Sequence, residues 1–340
     1  MPGLAASRRP GNDEQSSRHI HTDPAQTDGH GPVQIYLPIA DMPVNIIVIL
    51  AIGLAIGFIS GMFGVGGGFL TTPLLIFIGI PPAVAAATVT CHIAGTTFSA
   101  ALSYWRRRAL DPALAILLLC GGLVGAACGV LMFNRLRAIG QLDITIGIAY
   151  VILLGVVGTL MTVESARAIN RARHGRPTEL RRPGSHAWFH GLPLKFRFKR
   201  SKIYGSIIPV VVIGFLVEFV STFIGIGGGF LVVPALIYIM RVPTSVVIGT
   251  SLILTLVTMI VAMILHAATN HQVDAVLALI LIVGGVIGAQ FGARTGQRTR
   301  GEYLRLLLGV MVVAVGVRFA FNLVLEPDDL YVVRPLEPTR

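Results

Sequence analysis

Eight long apolar stretches alternate with short polar segments along most of the chain. The region from Met42 to Tyr104 contains no Asp, Glu, Lys or Arg. The stretches cover residues 45–79, 84–104, 112–133, 141–163, 207–239, 245–265, 275–293 and 303–325. A helix needs about 20 apolar residues to cross the hydrocarbon core of a bilayer. The pattern therefore predicts an all-α integral membrane protein of about eight helical segments, two of them unusually long.

Composition agrees with a membrane protein. Hydrophobic residues make up 54% of the 340 residues and charged residues only 13%, whereas a soluble domain carries roughly 25% charged residues. The first 43 residues are polar and lack the apolar core of a signal peptide. We predict a disordered tail over 1–43, membrane repeats over 44–163 and 207–325, a loop over 164–206 between them, and a C-terminal tail over 326–340.

Positive charge is concentrated in the predicted loop 164–206. The formal net charge of the chain is +11, and this loop holds eleven Lys and Arg residues against Glu164 and Glu179. A basic loop between membrane spans is typical of the cytoplasmic side. Because Trp188 and Phe189 lie among the charges, we predict contact with anionic lipid head groups and favour it over binding of nucleic acid.

An internal repeat relates two halves of the chain. The motif G-x-G-G-G-F-L-x-x-P begins at Gly64 and again at Gly225, an offset of 161 residues, and Pro82 and Pro243 follow at the same offset. Further matches keep the same order: Leu110-Asp111 with Val273-Asp274, and Gly121, Gly122, Gly125 and Gly129 with Gly284, Gly285, Gly288 and Gly292. So many ordered matches indicate a duplicated architecture.

The two glycine motifs interrupt the two longest apolar stretches. Each glycine costs a helix about 1 kcal/mol relative to alanine. Three in a row, with Pro73 or Pro234 shortly afterwards, therefore predict a break. A broken backbone is tolerated in a bilayer only where protein or water satisfies it. We predict that the first segment of each repeat folds as two shorter helices that meet at the glycines.

The distribution of basic residues favours inverted repeats. If each broken segment enters and leaves the membrane on one side, each repeat crosses an odd number of times and the repeats have opposite orientations. Nearly all arginines and lysines between spans are then cytoplasmic, with only Arg135 and Arg137 outside. A single crossing by each long segment would move four more arginines outside, which is a weaker separation of charge: Arg241, Arg294, Arg298 and Arg300. The inverted arrangement leaves both termini outside.

The glycines also suggest a site for an anion. A helix that begins just after Gly66–Gly68 or Gly227–Gly229 exposes free N–H groups and the positive end of its dipole, without side chains to block a ligand. Paired broken helices around a central site are typical of secondary transporters. Close helix packing is the alternative role for these glycines. Their duplication within over-long segments favours the binding role.

The doubled motif resembles the TauE/SafE family of membrane permeases. G-x-G-G-G-F-L-x-x-P-x-L occurs in both halves, followed by a proline-containing turn and a threonine near the start of the next helix, and the likeness covers roughly 45–325. That family is associated with transport of sulfite, sulfonates and other small organic anions. The resemblance implies substrate-binding residues at Gly66, Gly67, Gly68, Thr88, Gly227, Gly228, Gly229, Thr250 and Ser251.

Two features depart from the family pattern. The first half has Thr88-Val89 where the second half has Thr250-Ser251, so its pair of hydroxyl groups is incomplete. The loop 164–206 is also long for this family.

Two ionisable residues lie within apolar segments, where such groups are functional candidates. Glu218 precedes Gly225 by seven residues and could exchange a proton that couples to transport; a neutral, hydrogen-bonded or interfacial carboxyl is the alternative. His92 could line the path or titrate near neutral pH, or it could be hydrogen-bonded between helices. His266 and His271 flank a predicted loop and are expected to be solvated.

The remaining residues point away from an enzyme. The cysteines Cys91, Cys120 and Cys128 lack metal-ligand spacing, and the acidic residues form no pair at membrane depth. We therefore expect no metal, no cofactor and no catalytic residue. An anion channel with the glycines as its filter is the alternative. We predict a multi-pass secondary transporter of the inner (cytoplasmic) membrane that moves a small anion, with a proton as the candidate coupled ion; a homo-oligomer is compatible with this plan.

Overall fold

The structure is a computed structural model that describes residues 34–63, 67–106, 111–173, 195–198, 203–240, 242, 244–296 and 301–324. These residues form ten helices and two small antiparallel hairpins. The helices are α1 Ile46–Phe63, α2 Gly68–Phe77, α3 Pro82–Arg106, α4 Pro112–Ile139, α5 Leu142–Arg173, α6 Ile207–Ile224, α7 Gly229–Tyr238, α8 Thr244–Thr269, α9 Ala275–Gly296 and α10 Gly301–Val324. The strands are β1 Gln34–Leu37, β2 Met42–Asn45, β3 Lys195–Phe198 and β4 Ile203–Ser206.

The prediction of an all-α membrane protein is confirmed. Each of the eight apolar stretches is helical, and the two longest are split, the first into α1 and α2 and the fifth into α6 and α7. Within the described residues, six helices are long and apolar enough to cross a membrane: α3, α4, α5, α6, α8 and α9. The chain is therefore a multi-pass membrane protein.

The helix breaks fall at the glycines. In the second half, Gly225 has a φ of +75° and Gly227 a φ of +84°, a left-handed conformation that glycine adopts without strain. The Gly225 N–H donates to the carbonyl of Ser221, which ends α6. Pro73 and Pro234 lie inside α2 and α7, so the glycines and not the prolines interrupt the helices. Residues 64–66 of the first break lie outside the described residues.

Two predicted boundaries differ from the structure. Helix α5 continues to Arg173, ten residues into the segment 164–206 that we predicted as loop. The end of the predicted tail 1–43 contains the β1–β2 hairpin, which follows alternating apolar positions. Leu37 of this hairpin is completely buried, and the N–H of Ile39 donates to Oδ2 of Asp274 at 3.1 Å. The hairpin therefore packs against the start of α9. Residues 1–33, 174–194 and 325–340 lie outside the described residues.

The helices pair in the same way in both halves. Helix α1 packs on α9, and its counterpart α6 packs on α4, the counterpart of α9. Glycines allow this contact to be backbone on backbone: a Cβ at Gly57 would overlap the carbonyl oxygen of Gly285, and a Cβ at Gly125 would overlap that of Phe215. Close packing is therefore the role of the glycines at these backbone contacts.

Residue contacts give the relative directions of the paired helices. In the α5–α10 pair, Gly309 lies against Thr162 and Gly316 lies against Leu154, so the two helices are antiparallel. In the α4–α8 pair, Gly122 lies against Leu254, and the Phe133 ring lies 4.8 Å from that of His266. Those two helices are parallel.

Candidate functional site

The two glycine-rich helix starts meet at the centre of the molecule. Phe69 and Phe230, which occupy equivalent positions of the two repeats, stack with ring centroids 4.3 Å apart and an interplanar angle of 10°. A Cβ at Gly68 would lie 2.5 Å from the carbonyl oxygen of Ile226. The hydroxyl of Thr72 on α2 donates to the carbonyl of Gly225 at 2.8 Å. The starts of α2 and α7 therefore lie side by side, in buried surroundings.

A histidine accompanies the start of α2. Gly67 occupies the N-cap, and no side chain caps the helix. The hydroxyl of Thr71 donates to the carbonyl of Gly67 at 3.0 Å and lies 3.3 Å from Nδ1 of His92. The His92 side chain is completely buried, and its Nε2 has no hydrogen-bond partner among the described residues. The first turn of α2 is thus a buried helix N-terminus with a polar ring nearby. Gly66 lies outside the described residues.

A carboxyl group accompanies the start of α7. Gly228 is the N-cap, and a Cβ at this position would overlap Oε1 of Glu218. Glu218 is completely buried, and neither carboxyl oxygen has a hydrogen-bond partner within the described residues. The positive end of a helix dipole stabilises a negative charge. In the second half, the Glu218 carboxyl group therefore lies beside the start of α7.

His92 and Glu218 occupy matching places in the two halves. Gly285 on α9 faces the His92 ring, with its Cβ position 2.5 Å from Nε2. Gly122, the repeat counterpart of Gly285 on α4, faces the Glu218 side chain, with its Cβ position 3.1 Å from Cγ. Each half thus places one ionisable group between a broken helix and a glycine on a packed helix, which is α9 for His92 and α4 for Glu218.

The repeat alignment does not reveal this match. His92 aligns with Leu254, and Glu218 aligns with Gly57. In the first half the ionisable group is carried by α3, the second helix after the break, and in the second half by α6, the helix before the break. Both residues stand out in the sequence as ionisable groups within apolar segments, but their structural equivalence is visible only in the folded protein.

Thr88 and Thr250 have the same structural surroundings in the two halves. The Thr88 hydroxyl accepts the N–H of Asp274 at 3.0 Å, and the Thr250 hydroxyl accepts the N–H of Asp111 at 3.3 Å. Both aspartates cap the start of a helix, α9 and α4 respectively. The Ser251 hydroxyl donates to the carbonyl of Ile248 at 3.0 Å. These hydroxyls link helices or bond their own backbone, and their substrate-binding role stays a prediction.

We expect Thr250→Val to reduce stability and not transport. The substitution keeps the shape of the side chain but removes the acceptor of the Asp111 N–H, a loss of about 1 kcal/mol. Thermal unfolding of the purified protein in detergent should shift downward, while the apparent affinity for the anion stays unchanged. A lower affinity at unchanged thermal stability would instead place the Thr250 hydroxyl on the substrate.

The remaining glycines of the second motif shape the break. A Cβ at Gly227 would lie 2.9 Å from Cδ1 of Ile93, and Gly229 is the first residue of α7. Gly227 also has a left-handed φ. Glycine is therefore required at Gly227 by conformation as well as by space.

The expectation that His266 is solvated is wrong. Its side chain is completely buried in the last turns of α8, edge-on to the ring of Phe133. Its Nδ1 lies 2.9 Å from Nδ2 of Asn270. Helix α8 continues to Thr269, so the predicted loop starts after His266. His271 is exposed, as expected.

Fold and site together define a multi-pass helical membrane protein with two broken helices whose inner ends meet at a buried glycine-rich centre. The family model described as sulfite exporter TauE/SafE matches residues 49–319. The chain belongs to this family, and the resemblance found in the doubled glycine motif is confirmed.

Curated relatives support the same assignment. A probable membrane transporter protein of Xylella fastidiosa is 31% identical over 249 residues, which cover 71% of this chain and 81% of the relative. The probable membrane transporter protein YunE of Bacillus subtilis is 23% identical over 286 residues, 82% of this chain and 98% of the relative. The sulfite exporter TauE/SafE family protein 3 of Arabidopsis thaliana is 28% identical over 103 residues, 30% of this chain and 22% of the relative.

The chain is therefore a membrane transporter, and its bacterial relatives are consistent with the predicted inner-membrane location. No solved structure matches the chain.

Proposed function

We propose that the protein is a secondary transporter that moves a small anion, sulfite or a sulfonate, across the cytoplasmic membrane. The observation that carries this proposal is the meeting of two buried helix N-termini at glycines, with Phe69 stacked on Phe230 between them. Helix N-termini bind anions through free N–H groups and the helix dipole. The printed family name, sulfite exporter, supports the substrate class.

The two helix starts have different roles in this proposal. At α2, Gly67 and Gly68 add no side chain to the first turn, and His92 supplies a ring nitrogen that can donate to an oxyanion. At α7, the Glu218 carboxyl lies against Gly228. We propose that α2 binds the transported anion and that Glu218 is the group through which transport couples to a proton.

The direct test is anion flux through proteoliposomes that contain the purified protein. Radiolabelled sulfite is the probe, with methanesulfonate, sulfate and acetate as competitors and protein-free liposomes as the control for leak. Saturable sulfite flux that methanesulfonate inhibits supports an organosulfur-anion carrier. A rate that rises linearly with concentration would indicate a channel. An absence of flux from folded protein would refute this substrate class.

We further propose that the repeats are inverted. Helices α5 and α10 are counterparts in the two repeats, and their antiparallel contacts support opposite orientations. Thr88–Asp274 and Thr250–Asp111 are also matched contacts between the halves, as expected for a pseudo-two-fold axis in the membrane plane.

Topology tags should report on this inversion. Epitope tags inserted after Arg241 and within 174–194 should be accessible from the same side of the membrane. A tag in the turn at Gly140, which has a φ of +74° and no heavy atom within 4 Å of its Cβ position, should be accessible from the other side. The measurement is antibody binding to intact and permeabilised cells. Tags after Arg241 and at Gly140 on one side would contradict inversion and restore eight single crossings.

The basic segment between α5 and α6 completes the proposal. We propose that its arginines and lysines contact anionic lipid head groups on the cytoplasmic side. Flotation of the full-length protein reconstituted with neutral or anionic lipid, followed by protease digestion, tests this contact. Anionic lipid should protect the segment 174–194 from trypsin.

A further inference from the structure

Buried polar side chains without partners are concentrated between α6 and α8. Among the described residues, eight buried side-chain atoms have no hydrogen-bond partner. Six of them lie on these two helices: both carboxyl oxygens of Glu218, the hydroxyls of Ser221, Thr222 and Thr255, and Nε2 of His266. Buried polar groups in proteins are nearly always satisfied by protein or water, so this concentration points to a wet or proton-carrying path.

These residues lie on one face of each helix. On α6, Glu218, Ser221 and Thr222 are separated by three and four residues, and on α8 Thr255 and His266 are separated by eleven. Residues at those spacings lie on the same side of a helix. Eleven residues of helix rise about 16 Å, which is roughly half the thickness of the hydrocarbon core.

Contacts connect the two faces at both ends. Near the centre, Gly122 faces both Cγ of Glu218 and Cγ2 of Thr258, so these two side chains are neighbours. Towards the end of α8, a Cβ at Gly129 of α4 would lie 3.2 Å from Cβ of Thr222, and Phe133, about one turn further along α4, contacts His266. The face therefore runs from Glu218 at the glycine break to His266.

A hydrogen-bonded cluster joins His266 to the end of the helices. The Asn270 side chain lies 2.9 Å from Nδ1 of His266 and donates to Oδ1 of Asn134 at 2.9 Å. The Asn134 side chain in turn donates to the hydroxyl of exposed Thr269 at 3.0 Å, and Arg137 donates to the carbonyl of Asn270 at 2.9 Å. His266 is thus connected to the surface on the side of the Gly140 turn.

We infer that the polar face between α6 and α8, formed by Glu218, Ser221, Thr222, Thr255 and His266, is a proton route. It leads from the side of the membrane on which Asn134 and Asn270 lie to Glu218. This inference rests on the proposed transport function. A proton binds the His266 ring and passes along the hydroxyls of Thr222, Ser221 and Thr255 with intervening water. It forms an O–H bond on the Glu218 carboxylate as the N–H bond on His266 breaks. Charge is conserved, and Glu218 becomes neutral beside the α7 N-terminus.

The surroundings contain few competing ionisable groups. Glu218 faces Gly122 of α4 and Gly228 of α7, and Thr258 and Leu254 of α8 lie next to it around Gly122. None of these four residues has an ionisable side chain. His266 is contacted by Phe133 of α4 and by Asn270. Arg137 donates to the Asn270 carbonyl at the end of this cluster. The other buried histidine, His92 on α3, contacts Thr71 and Gly285 in the other half.

The route belongs to one half of the protein. In the repeat alignment, Gly57 replaces Glu218 and Ile93 replaces Thr255 in the first half. Gly57 is packed directly on the backbone of Gly285, which leaves no space for a relay there. The route therefore leads from the Gly140 side to Glu218, and the aligned first-half positions Gly57 and Ile93 carry no group that could relay a proton.

The test compares His266→Gln with the wild-type protein in proteoliposomes loaded with a pH-sensitive dye. In the wild type, an inward proton gradient should accelerate sulfite transport and acidify the lumen. Glutamine keeps a partner for Asn270 but cannot carry a proton. We expect His266→Gln to lose the gradient-driven component about tenfold or more, while sulfite exchange at equal pH on both sides stays near wild type.

The matched control is His271→Asn, which removes an exposed histidine five residues further on and should keep gradient-driven transport. Full gradient-driven transport in His266→Gln would overturn the route. Wild-type sulfite exchange that carries no proton would also overturn the route. In that case the coupling role proposed for Glu218 would fail as well, and sulfite transport itself would stand. An absence of sulfite exchange in the wild type would instead refute the proposed function, and the route would then be decided by the following experiment alone.

Access to the route can be measured without a substrate. In a background with Cys91, Cys120 and Cys128 replaced by alanine, Thr222→Cys should react with a small membrane-impermeant thiol reagent added from the Gly140 side. Val232→Cys is the control, since Val232 is equally buried within the apolar core, and it should stay unreacted. An inert cysteine at position 222 in folded protein would overturn the route.

Discussion

Gly228→Leu is expected to abolish anion flux while leaving folded protein in the membrane. Any side chain at this position would overlap Oε1 of Glu218 and cover the first N–H groups of α7. The overlapping atom is the end of a flexible side chain, so Glu218 can turn away and the helices can still pack. The centre would then lose both the open helix start and the placement of its carboxyl group.

The measurement is sulfite flux in proteoliposomes, compared at equal amounts of protein that elutes as a single peak from size-exclusion chromatography. Gly155→Leu is the matched control, because a Cβ at Gly155 in α5 meets nothing within 4 Å. It should transport as the wild type does. Gly67→Leu, at the start of α2, should behave as Gly228→Leu does. Normal flux in both central variants would return these glycines to a packing role.

Gly57→Leu is expected to prevent folding altogether. A Cβ at Gly57 would overlap the carbonyl oxygen of Gly285 and lie 2.6 Å from its Cα, so the conflict is with backbone that cannot rotate away. Overpacking in a tightly packed interior costs about 1–3 kcal/mol and occasionally more, and separating α1 from α9 would also remove the rest of their contact. We expect the upper end of that range or beyond.

The yield of monodisperse protein after detergent extraction is the measurement for Gly57→Leu, again with Gly155→Leu as the control. The variant should be recovered as aggregate or not at all. Recovery of monodisperse protein with a wild-type unfolding temperature would show that α1 and α9 do not pack on each other as closely as the structure has them. Together, the Gly228 and Gly57 variants separate glycines that open a site from glycines that allow helix contact.

The two glycines differ in the atom that a new side chain would meet, which is the flexible end of the Glu218 side chain at Gly228 and the backbone of Gly285 at Gly57. The sequence shows Gly228 and Gly57 only as small residues in apolar segments. Gly228 belongs to a doubled motif in an over-long stretch, and that context alone predicted a break. Gly57 carries no such signal, because its importance depends on which helix lies opposite.

The candidate site was likewise predicted in part. The glycine motifs identified where both broken helices begin, and the burial of Glu218 and His92 followed from their apolar surroundings. The roles of Thr88 and Thr250 in capping turns were not visible, because their partners Asp274 and Asp111 are more than a hundred residues away in the chain. His266 was placed wrongly since helix α8 is one turn longer than its apolar pattern.

The sequence by itself determined that this is a helical membrane protein with a duplicated plan and two helix breaks. Those properties depend on local patterns, since each span must satisfy its own backbone hydrogen bonds in a bilayer and runs of glycine cannot do so cheaply. Only the tertiary structure decided that α1 packs on α9 and α4 on α6, and that His92 and Glu218 occupy matching places from unrelated positions. Those facts depend on contacts between distant segments, which packing selects and no local pattern encodes.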